Sequence, residues 1–169
     1  MNEITYKVGD MFGLLPYGQQ KPIILPHVCN DIGGWGAGFV IPLARKWPKA
    51  REVYLDAFEW KPAAWKAVTI GDHQLVEVEP KNENNGGIWV VNMVAQSGLR
   101  GADNTRPLRY NALVKCMESV KEIGDKLEKP EIHAPKFGSD LAGGNWDFIS
   151  ELITDIWLPY FSVTIYSLV

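Results

Sequence analysis

Apolar residues fall in short runs separated by polar, glycine-bearing stretches, and their spacing switches between two periods. Ile4–Val8, Ile23–Val28, Ala67–Gly71, Gln74–Val78, Ile88–Val94, Glu131–Ala134 and Val163–Leu168 are brief, apolar runs, which predicts strands. The last alternates at Val163, Ile165 and Leu168 beside Tyr166, which suits a sheet edge or a penultimate strand. Between the strands the period becomes helical. Phe39, Val40, Leu43, Ala44 and Trp47 share one face, with Pro42 tolerable only in a first turn, where its missing N–H costs nothing. Leu108, Ala112, Leu113, Cys116, Met117, Val120 and Ile123 predict a second helix. Trp146, Ile149, Leu152, Ile153 and Ile156 predict a third, with Asn145 as its N-cap. Strands alternating with helices predict a layered α/β fold with helices on both faces of the sheet. Gly13–Pro22, Lys81–Gly87 and Ser97–Pro107 read as loops, the second as a hairpin tip. No repeat, linker or low-complexity tract interrupts the pattern, so residues 1–169 are expected to form a single domain.

Two of the connections carry the chemistry. Gly33-Gly34-Trp35-Gly36-Ala37-Gly38-Phe39 follows the second strand and opens a helix. Glycine lets a backbone close on an anion, and the helix behind it adds the positive end of its dipole. A dinucleotide fingerprint would need a third glycine at 39 or 41, where Phe39 and Ile41 stand. A P-loop running from Gly33 to Gly38 would need lysine at 39. The loop therefore suits a diphosphate without hydride or ATP chemistry. Pro135-Lys136-Phe137-Gly138-Ser139-Asp140-Leu141-Ala142-Gly143-Gly144-Asn145-Trp146 repeats the design ahead of the third helix. Two such loops beyond the carboxyl ends of strands can clasp one diphosphate from either side. Either loop alone would read as a tight turn.

Composition narrows the partners. The chain has 169 residues, 46% hydrophobic and 22% charged, ordinary for a soluble globular protein. A net charge of −3 counts against a general nucleic-acid binder but not against one small anion held by backbone amides. Two cysteines, Cys29 and Cys116, make no disulfide framework and no metal spacing, which fits a reducing setting. The N-terminus lacks the features of a secretory signal, and no apolar run reaches membrane-spanning length. A cytoplasmic location follows as the expectation.

The segment His27-Val28-Cys29-Asn30-Asp31-Ile32-Gly33-Gly34-Trp35-Gly36-Ala37-Gly38, with Gly138-Ser139-Asp140-Leu141-Ala142-Gly143-Gly144-Asn145-Trp146, resembles the macrodomain family. Asn92-Met93-Val94-Ala95-Gln96-Ser97-Gly98, Arg106-Pro107-Leu108-Arg109-Tyr110 and Val163-Thr164-Ile165-Tyr166 extend the likeness over nearly the whole chain. They place it nearest the small yeast-type ADP-ribose-1''-phosphate phosphatases and their bacterial and phage relatives. The resemblance implies a three-layer α/β/α sandwich around a mixed sheet.

It also implies roles. Asp10, with Met11 beside it, stands where macrodomains place an aspartate that accepts from the adenine amino group; a turn aspartate is the plainer reading. Asn30 matches an asparagine near the distal ribose. Gly34, Trp35, Gly36, Ala37, Gly38 and Phe39, with Gly138, Ser139, Leu141, Ala142 and Gly143, would wrap the pyrophosphate. Trp35 either covers the distal ribose or packs beneath its loop. In one subgroup that removes ADP-ribose from proteins, a catalytic lysine and aspartate occupy the places of Gln96 and Ala142 here, which weighs against that route. Asp140 either activates water for attack on a terminal phosphate or caps the following helix. His27 is either an acid–base group or a buried strand histidine. Cys29 is a nucleophile only with a base and an electropositive seat, and otherwise a small core residue. Arg109 suits an anion or a structural ion pair. No metal ligand set or cofactor is expected. The expected activity is hydrolysis of ADP-ribose-1''-phosphate to ADP-ribose and phosphate; the alternatives are a non-catalytic ADP-ribose-binding module or an ADP-ribosyl hydrolase acting on modified macromolecules. The expected partner is a small ADP-ribose derivative bound by a monomer, with neither membrane nor nucleic acid.

Overall fold

The computed structural model describes residues 2–59 and 68–169. Eleven elements follow one another: β1 (Thr5–Val8), α1 (Met11–Leu14), β2 (Ile23–Asn30), α2 (Val40–Lys46), α3 (Pro48–Asp56), β3 (His73–Glu79), β4 (Ile88–Gln96), α4 (Tyr110–Lys126), β5 (Glu131–Pro135), α5 (Trp146–Ile156) and β6 (Val163–Ser167). The strands form one six-stranded sheet in the order β1-β6-β5-β2-β4-β3. Every neighbouring pair is parallel except β3 with β4, so the sheet is mixed. β6 is the penultimate strand, and β1 at the edge leaves all four of its residues exposed.

The period of two along the strands divides the core between the two faces. Ile24, Val91, Met93, Ala95, Ile132, Ala134 and Ile165 pack with Leu113, Met117, Ile149, Ile153 and Trp157 of the α4 and α5 layer. Ile23, Leu25, Ile88 and Val90 point the other way, against Met11 of α1, Leu43 of α2, and Ala50 and Tyr54 of α3. Helices thus cover both faces, giving three α/β/α layers. The central strand β2 is buried on both sides, which is why it reads as an unbroken apolar run rather than an alternating one.

Three expectations need correction. The helix drawn through Phe39 and Trp47 is two helices: α2 ends at Lys46, and Pro48 starts α3 at its first position, where a fixed φ and no N–H are favourable. Pro42 does sit in the first turn of α2. The short helix α1 is not expected from the pattern, and only its last two residues, Gly13 and Leu14, fall in the stretch Gly13–Pro22 read as loop. Of the strand expected at Ala67–Gly71, Ala67 lies outside the described residues, and residues 68–71 lead into a turn closed by Thr69 N donating to Asp72 Oδ2. The hairpin tip at 81–87 is as expected, joining antiparallel β3 and β4. Asn145 caps α5, its side chain accepting from Phe148 N.

Candidate active site

The parallel strands direct their carboxyl ends to one edge of the sheet, where ligands bind in folds of this kind. β2 delivers the first glycine loop there, adjacent β5 delivers the second, and β4, on the other side of β2, delivers the segment from Ser97 to Arg109. The two glycine loops meet: a Cβ placed on Gly38 would lie 2.9 Å from Leu141 Cδ1.

Asn30 organises the first loop. Its Oδ1 accepts from Ile32 N at 3.1 Å and Gly34 N at 2.9 Å, with the Tyr54 hydroxyl at 2.7 Å, while its Nδ2 donates to Gly34 O at 2.8 Å. Gly34 must be glycine because a Cβ there would meet Asn30 Nδ2 at 2.7 Å. Folding the chain back on this amide leaves the backbone N–H groups of Gly36, Ala37, Gly38 and Phe39 without an acceptor among the described residues. Gly36 to Gly38 are exposed. The second loop presents a matching row. Gly144 N donates to Gly138 O and Gly143 N to Asp140 O, closing the turn, while the N–H groups of Ser139, Asp140, Leu141 and Ala142 find no acceptor among the described residues. Gly143 has φ 73° and a Cβ there would lie 2.6 Å from Thr105 O, so only glycine fits between the second loop and the arginine-bearing segment.

That segment is tied to both loops. Gly98 N donates to Asp31 Oδ1 at 2.8 Å, Leu108 N to Ala142 O at 3.1 Å, and Arg100 Nη1 to Asp140 O at 3.3 Å. Arg109 forms no ion pair among the described residues; it bonds Arg106 O and Asn104 Oδ1, holding its own loop in shape. Gln96 likewise turns to Gly98 O.

Several expected roles change. Asp140 does not cap α5, because Asn145 does; its carboxylate is exposed and accepts no hydrogen bond among the described residues. Asp10 does cap a helix: its Oδ1 accepts from Phe12 N at 3.1 Å at the start of α1. Met11 is buried, so only its backbone is available at the site. Trp35 packs beneath its loop at 7% exposure, with its indole N–H on Val40 O and its ring against His27 and Tyr54. Phe39 is half-buried and stacks on Phe12 at 5.6 Å. Ala142 is also buried, so it too can contribute only backbone.

His27 is a core residue, 2% exposed, and does not reach the cleft as an acid or base. Asn92 uses its Nδ2 on Ala50 O and Gln74 Oε1, so its Oδ1 faces His27 Nε2 at 2.6 Å and that nitrogen carries the proton. Burial pushes the imidazole down to about 4, partly opposed by Asn92. Cys29, with Sγ 3.9 Å from the same ring, is equally buried, and desolvation raises its thiol well above the usual range; it is no nucleophile. The histidine has a measurable consequence. A neutral His27 stabilises the fold fully above about pH 6.5, where the unfolded chain is neutral too, and loses its advantage as pH falls toward 4, by about 3 kcal/mol in all. Urea midpoints should therefore fall below pH 6.5, and His27→Gln should flatten that dependence. An unchanged slope in the variant would assign the acid sensitivity elsewhere.

Sequence reasoning missed Tyr54, Asp31 and Arg100. Pro48 could have announced the helix that carries Tyr54. The arginine density could have marked the segment, since three of the chain's five arginines lie at Arg100, Arg106 and Arg109. No local pattern points to Asp31.

No family model matches the sequence. A macrodomain protein from Streptomyces coelicolor superimposes with a TM-score of 0.75 at 32% identity, covering 98% of this chain and 99% of that one. An uncharacterized 17.5 kDa protein of phage T4 is 27% identical over 151 residues, 89% of this chain and 87% of its own. An ADP-ribose 1''-phosphate phosphatase from Lodderomyces elongisporus is 44% identical over 52 residues, 30% of this chain and 31% of that enzyme. Among the described residues, no helix is long and apolar enough to cross a membrane, and no group of three or more His, Cys, Asp or Glu could hold a metal ion.

Proposed function

The chain belongs to the macrodomain family, and from that premise we propose that it binds ADP-ribose derivatives and hydrolyses ADP-ribose-1''-phosphate to ADP-ribose and phosphate. One observation carries this reading. The backbone N–H groups of Gly36–Phe39 and Ser139–Ala142 donate to no acceptor among the described residues, the two loops touch at Gly38 and Leu141, and the second carries the exposed Asp140, which together suit a neutral seat for a diphosphate beside a carboxylate. In this arrangement the adenine amino group donates to Asp10, whose Oδ1 is already engaged by Phe12 N and whose Oδ2 accepts no hydrogen bond among the described residues. Asn30 acts chiefly by shaping the first loop, keeping one amide N–H for the distal ribose. Asp140 takes a proton from water as its oxygen attacks the terminal phosphorus. The bond from phosphorus to the ribose O1'' breaks, and the proton returns to that oxygen. The named activity of the yeast-type relative supports the substrate assignment, although the match spans less than a third of each chain.

Purified protein should release inorganic phosphate from ADP-ribose-1''-phosphate, and calorimetry should record ADP-ribose binding. Absence of both would overturn the assignment. Binding without phosphate release would favour a non-catalytic module, a reading supported by the lack of any described hydrogen bond that fixes the Asp140 carboxylate.

Asn30→Ala removes the acceptor shared by Ile32 N and Gly34 N. Leaving those donors unmatched costs about 1–3 kcal/mol, so ADP-ribose affinity should fall about 5–150-fold if the loop shape is what binds. Titration calorimetry at a temperature where the variant remains folded decides it. Unaltered affinity would mean that the first loop takes no part.

A further inference from the structure

We propose that Arg100 is the residue that selects a terminal phosphate on the distal ribose over a free hydroxyl. This inference rests on the placement of Asp140 proposed above. Arg100 Nη1 donates to the backbone carbonyl of Asp140 itself, so its guanidinium lies beside the residue whose carboxylate is to activate water. Any phosphorus attacked by that water is within the neighbourhood of the guanidinium.

Charge makes the assignment specific. A terminal phosphate is a dianion near neutral pH, and Asp140 brings a second negative group to it. The backbone N–H groups of the glycine loops are neutral donors. A cation must offset the repulsion, and among the described residues Arg100 is the cation whose hydrogen bond runs to the backbone of Asp140. Arg106 lies over the Tyr110 ring at 4.5 Å, Arg109 bonds Arg106 O and Asn104 Oδ1, and Lys136 sits 5.9 Å from both the Tyr6 and Trp146 rings. Arg100 is exposed and has no carboxylate partner among the described residues. One N–H on a carbonyl leaves it four more in a planar fork that matches phosphate oxygens. The segment carrying it is pinned on either side, by Gly98 N on Asp31 and by Leu108 N on Ala142, so the guanidinium reaches Asp140 from an anchored backbone.

The test compares Arg100→Gln, Arg100→Lys and Arg106→Gln with the wild type. The readouts are kcat/KM for phosphate release from ADP-ribose-1''-phosphate and the Kd of ADP-ribose by calorimetry. Arg100→Gln should lower kcat/KM about 10–100-fold, the loss expected for a hydrogen bond to a charged group, and shift the Kd of ADP-ribose less than twofold. Arg100→Lys should recover part of the loss, and Arg106→Gln, which removes the same charge from the same segment, should change neither value more than about threefold. Equal losses for both ligands, or a loss in Arg106→Gln as large as in Arg100→Gln, would overturn the assignment. Should the wild type bind ADP-ribose-1''-phosphate without hydrolysing it, the phosphatase function falls, and calorimetric Kd values for the two ligands decide Arg100 alone. A wild type that does not distinguish the two ligands refutes the role.

Discussion

Asp140→Asn is expected to lower phosphate release from ADP-ribose-1''-phosphate about 10²–10⁴-fold, the usual worth of a positioned general base. The Kd of ADP-ribose should stay within about twofold. The substitution keeps the size of the side chain and removes its negative charge and its capacity to take a proton. It also leaves the turn intact, because the turn is closed by backbone: Gly143 N on Asp140 O and Gly144 N on Gly138 O. Asn145, not Asp140, caps α5, so loss of the carboxylate should cost the helix nothing and thermal unfolding should be unchanged. That separation gives the experiment its force. A parallel fall in stability would point to a structural aspartate. A rate equal to that of the wild type would move the chemistry to another group or out of the protein altogether.

Trp157→Ala should produce the largest loss of stability, about 3–5 kcal/mol. The side chain is fully buried beyond the end of α5, its indole N–H donates to Met117 O at 2.9 Å, and its ring lies 5.6 Å from Phe137. Truncation would open a cavity between α4, α5 and the base of the second glycine loop. For a domain of this size the unfolding midpoint should drop by about 6–20 °C in a thermal melt. Trp157→Phe, which keeps most of the volume and gives up the hydrogen bond, should cost much less. Because Phe137 opens the loop that follows β5, the alanine variant should also bind ADP-ribose more weakly well below its melting temperature. Full affinity in the folded variant would show that the loop holds its form without this support.

The elements with a strong period were apparent from the chain alone. The α4 and α5 faces, the cap at Asn145 and the positions of all six strands follow from apolar spacing, because burial against one sheet face imposes that spacing whatever the partners are. The break between α2 and α3 was missed although Pro48 announces it, since Trp47 continues the helical face up to the proline. The expected strand at Ala67–Gly71 failed for the opposite reason: a few apolar residues fit a strand template, but the described part is a turn that pairs with Asp72.

The site divides in the same way. Both glycine loops could be identified from sequence because a tightly folded-back backbone demands glycine locally: a Cβ would meet Asn30 Nδ2 at Gly34 and Thr105 O at Gly143. Which polar side chains face the cleft could not. His27 and Asp140 each stand beside a glycine loop in the sequence, with His27 favoured as a buried strand histidine and Asp140 leaning to function. Burial withdrew His27, since desolvation holds its ring neutral and Asn92 holds its proton, while the capping geometry of Asn145 released Asp140 from a structural duty. Arg100 becomes informative only through a contact with Asp140 across 40 positions of sequence. The sequence by itself determined the layers, the period of each element and the two loops, because those depend on residues near one another along the chain. Tertiary structure alone decided which charges stand together at the cleft, because charge pairing and desolvation depend on distance in space, and no spacing along the chain encodes that.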